Sequence, residues 1–131
     1  MESGVLVVDN SAAIRKILQR ILRQTGMPIA IHEAGNGQEA LSLLATHRIN
    51  LVLTEINMPK MDGLQLLASL KASAEWCNIP VVIITSEGGE TKVADAVKLG
   101  AAGYVRKPFT ADQIKEKLVG ILAAEIAHET A

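Results

Sequence analysis

Val5-Leu6-Val7-Val8-Asp9-Asn10-Ser11 decides the fold: four apolar residues in a row, stopped by an acid, an amide and a hydroxyl. A strand with one wet face alternates polar and apolar residues, so an unbroken apolar run indicates a strand covered on both faces, as in a parallel sheet. The same figure recurs downstream. Leu51-Val52-Leu53 stops at Thr54-Glu55, and Val81-Val82-Ile83-Ile84 stops at Thr85-Ser86. Residues 29–33 and 102–106 are weaker runs with the same placement.

Between these runs lie helical periods. Ile14, Ile17, Leu18, Ile21 and Leu22 form one apolar stripe, with Arg15, Lys16, Gln19, Arg20 and Arg23 on the other side. Ala40, Leu41, Leu43 and Leu44 mark a second helix, and Leu64, Leu66, Leu67 and Leu70 a third. Val93, Ala94, Ala96 and Val97 suggest a fourth; Ile114, Leu118, Ile121 and Leu122 complete a fifth. Asn36 with Glu39, and Thr110 with Gln113, have capping-box spacing. Gly26 and Gly100 stand where helices should stop, and Pro80 stands just before a strand, where its missing N–H is harmless. Repeated βα units predict an α/β fold: a parallel sheet with helices on both faces and right-handed crossovers.

A chain of 131 residues holds one core, spanning about residues 5–122, with 123–131 reading as a frayed tail. Hydrophobic residues at 49% and charged residues at 21% give a globular profile. A formal net charge of −1 supplies no basic field for nucleic acid and no polybasic run for a membrane surface. The apolar runs are too short to span a membrane, and Met1 to Gly4 has no signal-peptide character. Cys77 is the single cysteine, which rules out an intrachain disulfide. A monomer in the cytoplasm is the expectation. His32, His47 and His128 are scattered without metal-ligand spacing and read as solvated, and Trp76 reads as packing.

Ligands of open parallel sheets bind beyond the carboxyl ends of the strands. Those ends deliver Asp9, Asn10, Glu55, Thr85, Ser86 and Lys107. Taken singly, each has an ordinary explanation: Asp9 or Asn10 as a cap of the first helix, Thr85 and Ser86 as turn residues, Lys107 as a solvated charge. Their convergence at one end of the sheet points to a polar pocket, because a lysine buried beside carboxylates is costly without a partner or a task.

The segments at 6–11, 51–63, 84–87 and 103–110, including Asn57-Met58-Pro59-Lys60-Met61-Asp62-Gly63 and Lys107-Pro108-Phe109-Thr110, together resemble the receiver domain of two-component response regulators, of the short chemotaxis type. The resemblance runs from Val5 to about Leu122 and implies a single flavodoxin-like (βα)5 receiver domain with strand order 2-1-3-4-5, an order of which chemotaxis receivers are a standing example. It implies a phosphoacceptor at Glu55 and a Mg²⁺ site at Asp9, Asn10, Glu55 and the Asn57 backbone carbonyl. Thr85 and Lys107 would read the phosphoryl oxygens, small Ser86 would leave the phosphoryl route open, and Tyr104 would act as a rotamer switch. A partner surface would contain Glu90, Val93, Tyr104, Arg106 and Lys117. The Gly88-Gly89 loop would be flexible, Lys107-Pro108 would be a cis peptide, and Asp62 would cap the third helix. The partners implied are a sensor histidine kinase or phosphotransfer protein upstream and an output protein, such as a flagellar motor switch, downstream.

Two positions depart from the family. Glu55 stands where an aspartate is usual, and Asn10 where a second acid is usual. Glutamate carries its carboxylate about 1.5 Å further out, and a displacement of ~1 Å can cost on the order of 10²-fold in a positioned reaction. Asn10 withdraws a charge from a site meant for a hard cation. Both changes weaken Mg²⁺ binding and ordinary phosphorylation. The longer Glu55 also carries a permanent negative group towards Thr85 and Lys107, so the expectation is a receiver that mimics its phosphorylated state and acts by binding, not as an enzyme. The alternatives are a phosphorylation-independent interaction domain or a metal-dependent hydrolase, the latter lacking a nucleophile or base. An oxidoreductase would need glycines in the Asp9-Asn10-Ser11-Ala12-Ala13 turn, and a flavin carrier would need more aromatics than the three present.

Overall fold

Strand β1 (Ser3–Val8) is buried at every position. The computed structural model describes residues 3–86 and 89–130, with side chains up to residue 122. Helix α1 (Ala12–Gln24) follows β1, and the alternation continues through β2 (Ile29–Ala34), α2 (Gly37–Thr46), β3 (Leu51–Thr54) and α3 (Gly63–Lys71). It ends with β4 (Val81–Thr85), α4 (Glu90–Lys98), β5 (Gly103–Arg106) and α5 (Ala111–Thr130). All pairings are parallel, and the sheet order is β2-β1-β3-β4-β5. The three unbroken apolar runs are the three inner strands, which explains why they lack polar alternation.

Alternate residues of each inner strand feed two separate cores. Val5, Val7, Leu51, Leu53, Val82 and Ile84 pack with Leu18, Ile21 and Leu22 of α1 and Ile114, Leu118 and Leu122 of α5. Leu6, Val8, Val52, Val81 and Ile83 pack with α2, α3 and Ala96 of α4 on the other face. Trp76 and Tyr104 lie partly buried against this second core.

Helix starts follow the sequence with two adjustments. Ser11, and neither Asp9 nor Asn10, caps α1 by accepting from the Ile14 amide. Asn36 accepts from the Glu39 amide, but Glu39 reaches the Gly35 N–H, one residue short of a reciprocal box. Complete boxes form at Asp62–Gln65 and at Thr110–Gln113. Gly26 and Gly100 follow α1 and α4 with φ of 74° and 90°, the left-handed conformation that glycine tolerates. Lys107-Pro108 is cis. Helix α5 runs to Thr130, so the segment read as a frayed tail continues the helix; its alanines and glutamates favour that conformation. Gly88 of the expected flexible loop, and the side chain of His128, lie outside the described residues.

Candidate functional site

The pocket forms because each inner strand hands its next residue to the same end of the sheet. The Asp9 amide bonds Ala34 O (3.1 Å) and the Glu55 amide bonds Val8 O (3.0 Å), so both acids leave their strands in register. The Lys107 amide bonds Thr85 O (2.9 Å), which ties the end of β5 to the end of β4. Asp9, Glu55 and Thr85 are 2%, 4% and 0% exposed, an unusual degree of burial for carboxylates without a counter-charge.

Lys107 provides that counter-charge. Its Nζ donates to Asp9 Oδ2 at 2.8 Å and to Glu55 Oε2 at 2.6 Å. The other Glu55 oxygen, Oε1, accepts from the Thr85 hydroxyl, from the Ile56 amide (2.8 Å) and from the Asn57 amide (3.3 Å). Asp9 Oδ1 accepts from the Ser11 amide at 2.8 Å. Burial pushes the Glu55 carboxyl up, but the bonds from Lys107 and Thr85 outweigh it and the net effect is downward. Burial likewise works to lower Lys107, and its bonds to Asp9 and Glu55 prevail to raise it. The cluster is therefore a fixed ion triad, anionic on two sides and cationic in the centre.

Asp9, Glu55, Thr85 and Lys107 are thus brought together. Asn10 is not: it is exposed at the rim, because the turn that lets Asp9 accept from Ser11 directs the next residue outward. Tyr104 pairs with Ile83 in the sheet and packs half-buried against the α2–α3–α4 core. A groove of about 520 Å³ between β5 and α5 is lined by Tyr104, Arg106, Lys107, Gln113, Glu116 and Lys117. Lys107 therefore belongs both to the pocket and to the groove. Glu90 is exposed and Val93 half-buried on α4.

Arg15 was not foreseen as part of the site. It donates to the Asp9 carbonyl (2.5 Å) and to Glu33 (2.9 Å), tying α1 to the ends of β1 and β2. The bond from Arg15 is the main cause holding the Glu33 carboxyl below its ordinary range. In the sequence Arg15 is one of several cations on the polar side of α1, with nothing to single it out.

The response-regulator receiver-domain model matches residues 5–119. The chain is a receiver domain of the response-regulator family. The "Chemotaxis protein CheY homolog" of Campylobacter jejuni is 37% identical over 119 residues, covering 90% of this chain and 91% of that protein. The receiver domain of an HD domain-containing protein from Pseudomonas fluorescens Pf-5 superposes with a TM-score of 0.88 at 26% identity, covering 97% and 99% of the two chains. Vibrio cholerae CheY4 gives 0.82 at 26% identity, covering 92% and 99%. The receiver is CheY-like and a component of two-component phosphorelay signalling.

Receivers generally bind Mg²⁺ at the phosphorylation site. The donors of this receiver fit that ion poorly. One oxygen of each buried carboxylate is committed to Lys107, and the other to amides or to Thr85. Asn10 is neutral and turned outward. Among the described residues no three His, Cys, Asp or Glu side chains gather as a metal cluster. Mg²⁺ demands near-octahedral oxygen geometry and surrenders its water reluctantly, so it gains little from carboxylates already held by an ammonium.

Proposed function

We propose that this receiver is held by Glu55 in a phosphoryl-engaged arrangement and signals by protein binding without needing phosphoryl transfer. One observation carries the reading: a single Glu55 carboxylate engages the Thr85 hydroxyl and the Lys107 ammonium at once. These are the two side chains that, by the family pattern, read phosphoryl oxygens. The charge that phosphorylation would bring is here covalent and permanent. The half-buried Tyr104 and the groove shared with Lys107 supply a path from pocket to surface. The output face is then α4–β5–α5, with Glu90, Val93, Tyr104, Arg106 and Lys117 as contacts.

The similarity to the chemotaxis protein of Campylobacter jejuni favours a chemotaxis-type role, with a sensor histidine kinase or phosphotransfer protein upstream and a motor-switch-class target downstream. Partners of this kind place the proposed role in the cytoplasm; among the described residues no helix is long and apolar enough to cross a membrane. Binding, not turnover, is the output.

The test compares backbone amide spectra of α4, β5 and α5. The native chain should coincide with an Asn10→Asp/Glu55→Asp variant loaded with beryllofluoride and Mg²⁺, and should not move when a small phosphodonor is added. If it coincides instead with Glu55→Ala, Glu55 does not act as a phosphoryl mimic and the receiver is merely inert.

A further inference from the structure

Away from the pocket, the fold brings together two histidines that the sequence leaves far apart. His32 of β2 pairs with Leu6, on the sheet face that α2 covers. His47 is the residue at which α2 ends. Their ring centroids are 4.4 Å apart and their planes are inclined at 49°. The opposite end of α2 touches the loop after β3 through the Gly37 amide and Met61 O, so a helix of about 15 Å separates the histidines from that loop.

The hydrogen bonding prepares His47 as a ligand. The Thr46 hydroxyl donates its one proton to Ser42 O at 3.2 Å and lies 2.9 Å from His47 Nδ1. Thr46 thus engages Nδ1, and in the tautomer whose Nδ1–H donates to Thr46 the other ring nitrogen, Nε2, keeps its lone pair for a metal. A second partner on the far ring nitrogen is the usual companion of a metal-bound histidine.

Two imidazoles whose centroids lie 4.4 Å apart are close enough to bind one cation as neighbouring ligands. With metal–nitrogen bonds of about 2.1 Å, two imidazoles on adjacent positions of one cation place their centroids about 4.5–5 Å apart. We infer that His32 and His47 form a two-imidazole site for a borderline divalent transition metal (Zn²⁺, Ni²⁺ or Cu²⁺), with water completing the shell. Among the described residues no third acid, cysteine or histidine joins them, so the site is open and exchangeable, unlike the closed four-ligand shell of a structural zinc site. Imidazole selects these ions over the hard Mg²⁺ of the family's pocket. The bound ion would pin edge strand β2 to the end of α2.

Titration calorimetry of the full chain with ZnCl₂ tests the assignment, with thermal unfolding as a second readout. One saturable site is expected, together with a raised unfolding midpoint and broadening of both imidazole signals when Ni²⁺ is added to the native chain. His32→Gln or His47→Gln should weaken binding more than tenfold (~10-fold or beyond), since one imidazole alone competes poorly with water. Thr46→Val should weaken it by about 10-fold, the low end for loss of an orienting partner. No Zn²⁺ binding by the native chain overturns the site. So does binding that survives both histidine substitutions, which would place the ion on the pocket carboxylates.

Discussion

At the scale of the residue, the proposed phosphoryl mimicry rests on the position of one carboxylate. Glu55 reaches both Thr85 and Lys107, so its carboxylate fills the gap between them. Shortening it and restoring the second acid should reopen that gap. The Asn10→Asp/Glu55→Asp variant is expected to take phosphate from a small donor with Mg²⁺ at least ~10²-fold faster than the native chain. Intact-mass analysis measures this. If Glu55→Asp alone suffices, Asn10 is not the limiting defect; if neither gains, the geometric account of Glu55 is wrong. Lys107 gives the complementary prediction. Lys107→Met strands two buried carboxylates without their counter-ion, a loss of about 3 kcal/mol at pH 7 by urea unfolding. Acidification should restore part of that loss in the variant, because the carboxylate pair can then take up a proton.

At the scale of the element, the site depends on how the chain leaves β3. From Glu55 to Gly63 the backbone folds back on itself: the Gly63 amide bonds Ile56 O at 2.9 Å. A β-carbon on Gly63 would overlap the Glu55 carbonyl oxygen. Gly63→Ala is therefore expected to cost about 1–3 kcal/mol and to displace Glu55. Unfolding curves read the first effect and the Glu55, Ile56 and Asn57 amide shifts read the second. An Asp62→Ala control, which removes only the α3 cap, should cost about 1 kcal/mol and leave those amides in place. The sequence displayed this glycine within a motif, yet its physical reason is a contact with the Glu55 backbone, invisible without the turn. The strands were legible because burial on both faces removes their polar alternation. The box at Asn36 was not, since spacing alone cannot tell whether Glu39 reaches Asn36 or Gly35.

For the whole molecule, βα alternation announced a parallel sheet, but strand order came only through family resemblance. Periodicity records which faces are covered, not which crossovers are taken. The same gap hid the His32–His47 contact, which exists because β2 lies at the sheet edge beside α2. It also hid the outward turn of Asn10, which depends on Asp9 bending back to the Ser11 amide. These local facts combine in the pH dependence of global stability. Glu55 has an ordinary pKa of 4.5 and is lowered in the fold, so its contribution is complete above 4.5 and is lost as pH falls through the folded value. Lys107 is raised from 10.5, so its contribution is complete below 10.5 and is lost as pH rises through the folded value. His32 is lowered from 6.5, adding a shallower loss as pH drops below that point. Denaturant unfolding should thus show a plateau between about 6.5 and 10.5, a shallow decline below it and a steeper one under 4.5. Because Glu55 is buried, the steep limb should persist in 1 M NaCl, whereas the contribution of the surface pair Arg15–Glu33 is screened. Glu55→Gln should lower the plateau, flatten the steep limb and lessen the alkaline loss that Lys107 contributes, and His32→Gln should remove only the shallow limb. A steep limb unchanged in Glu55→Gln would mean that the triad does not govern the acid response.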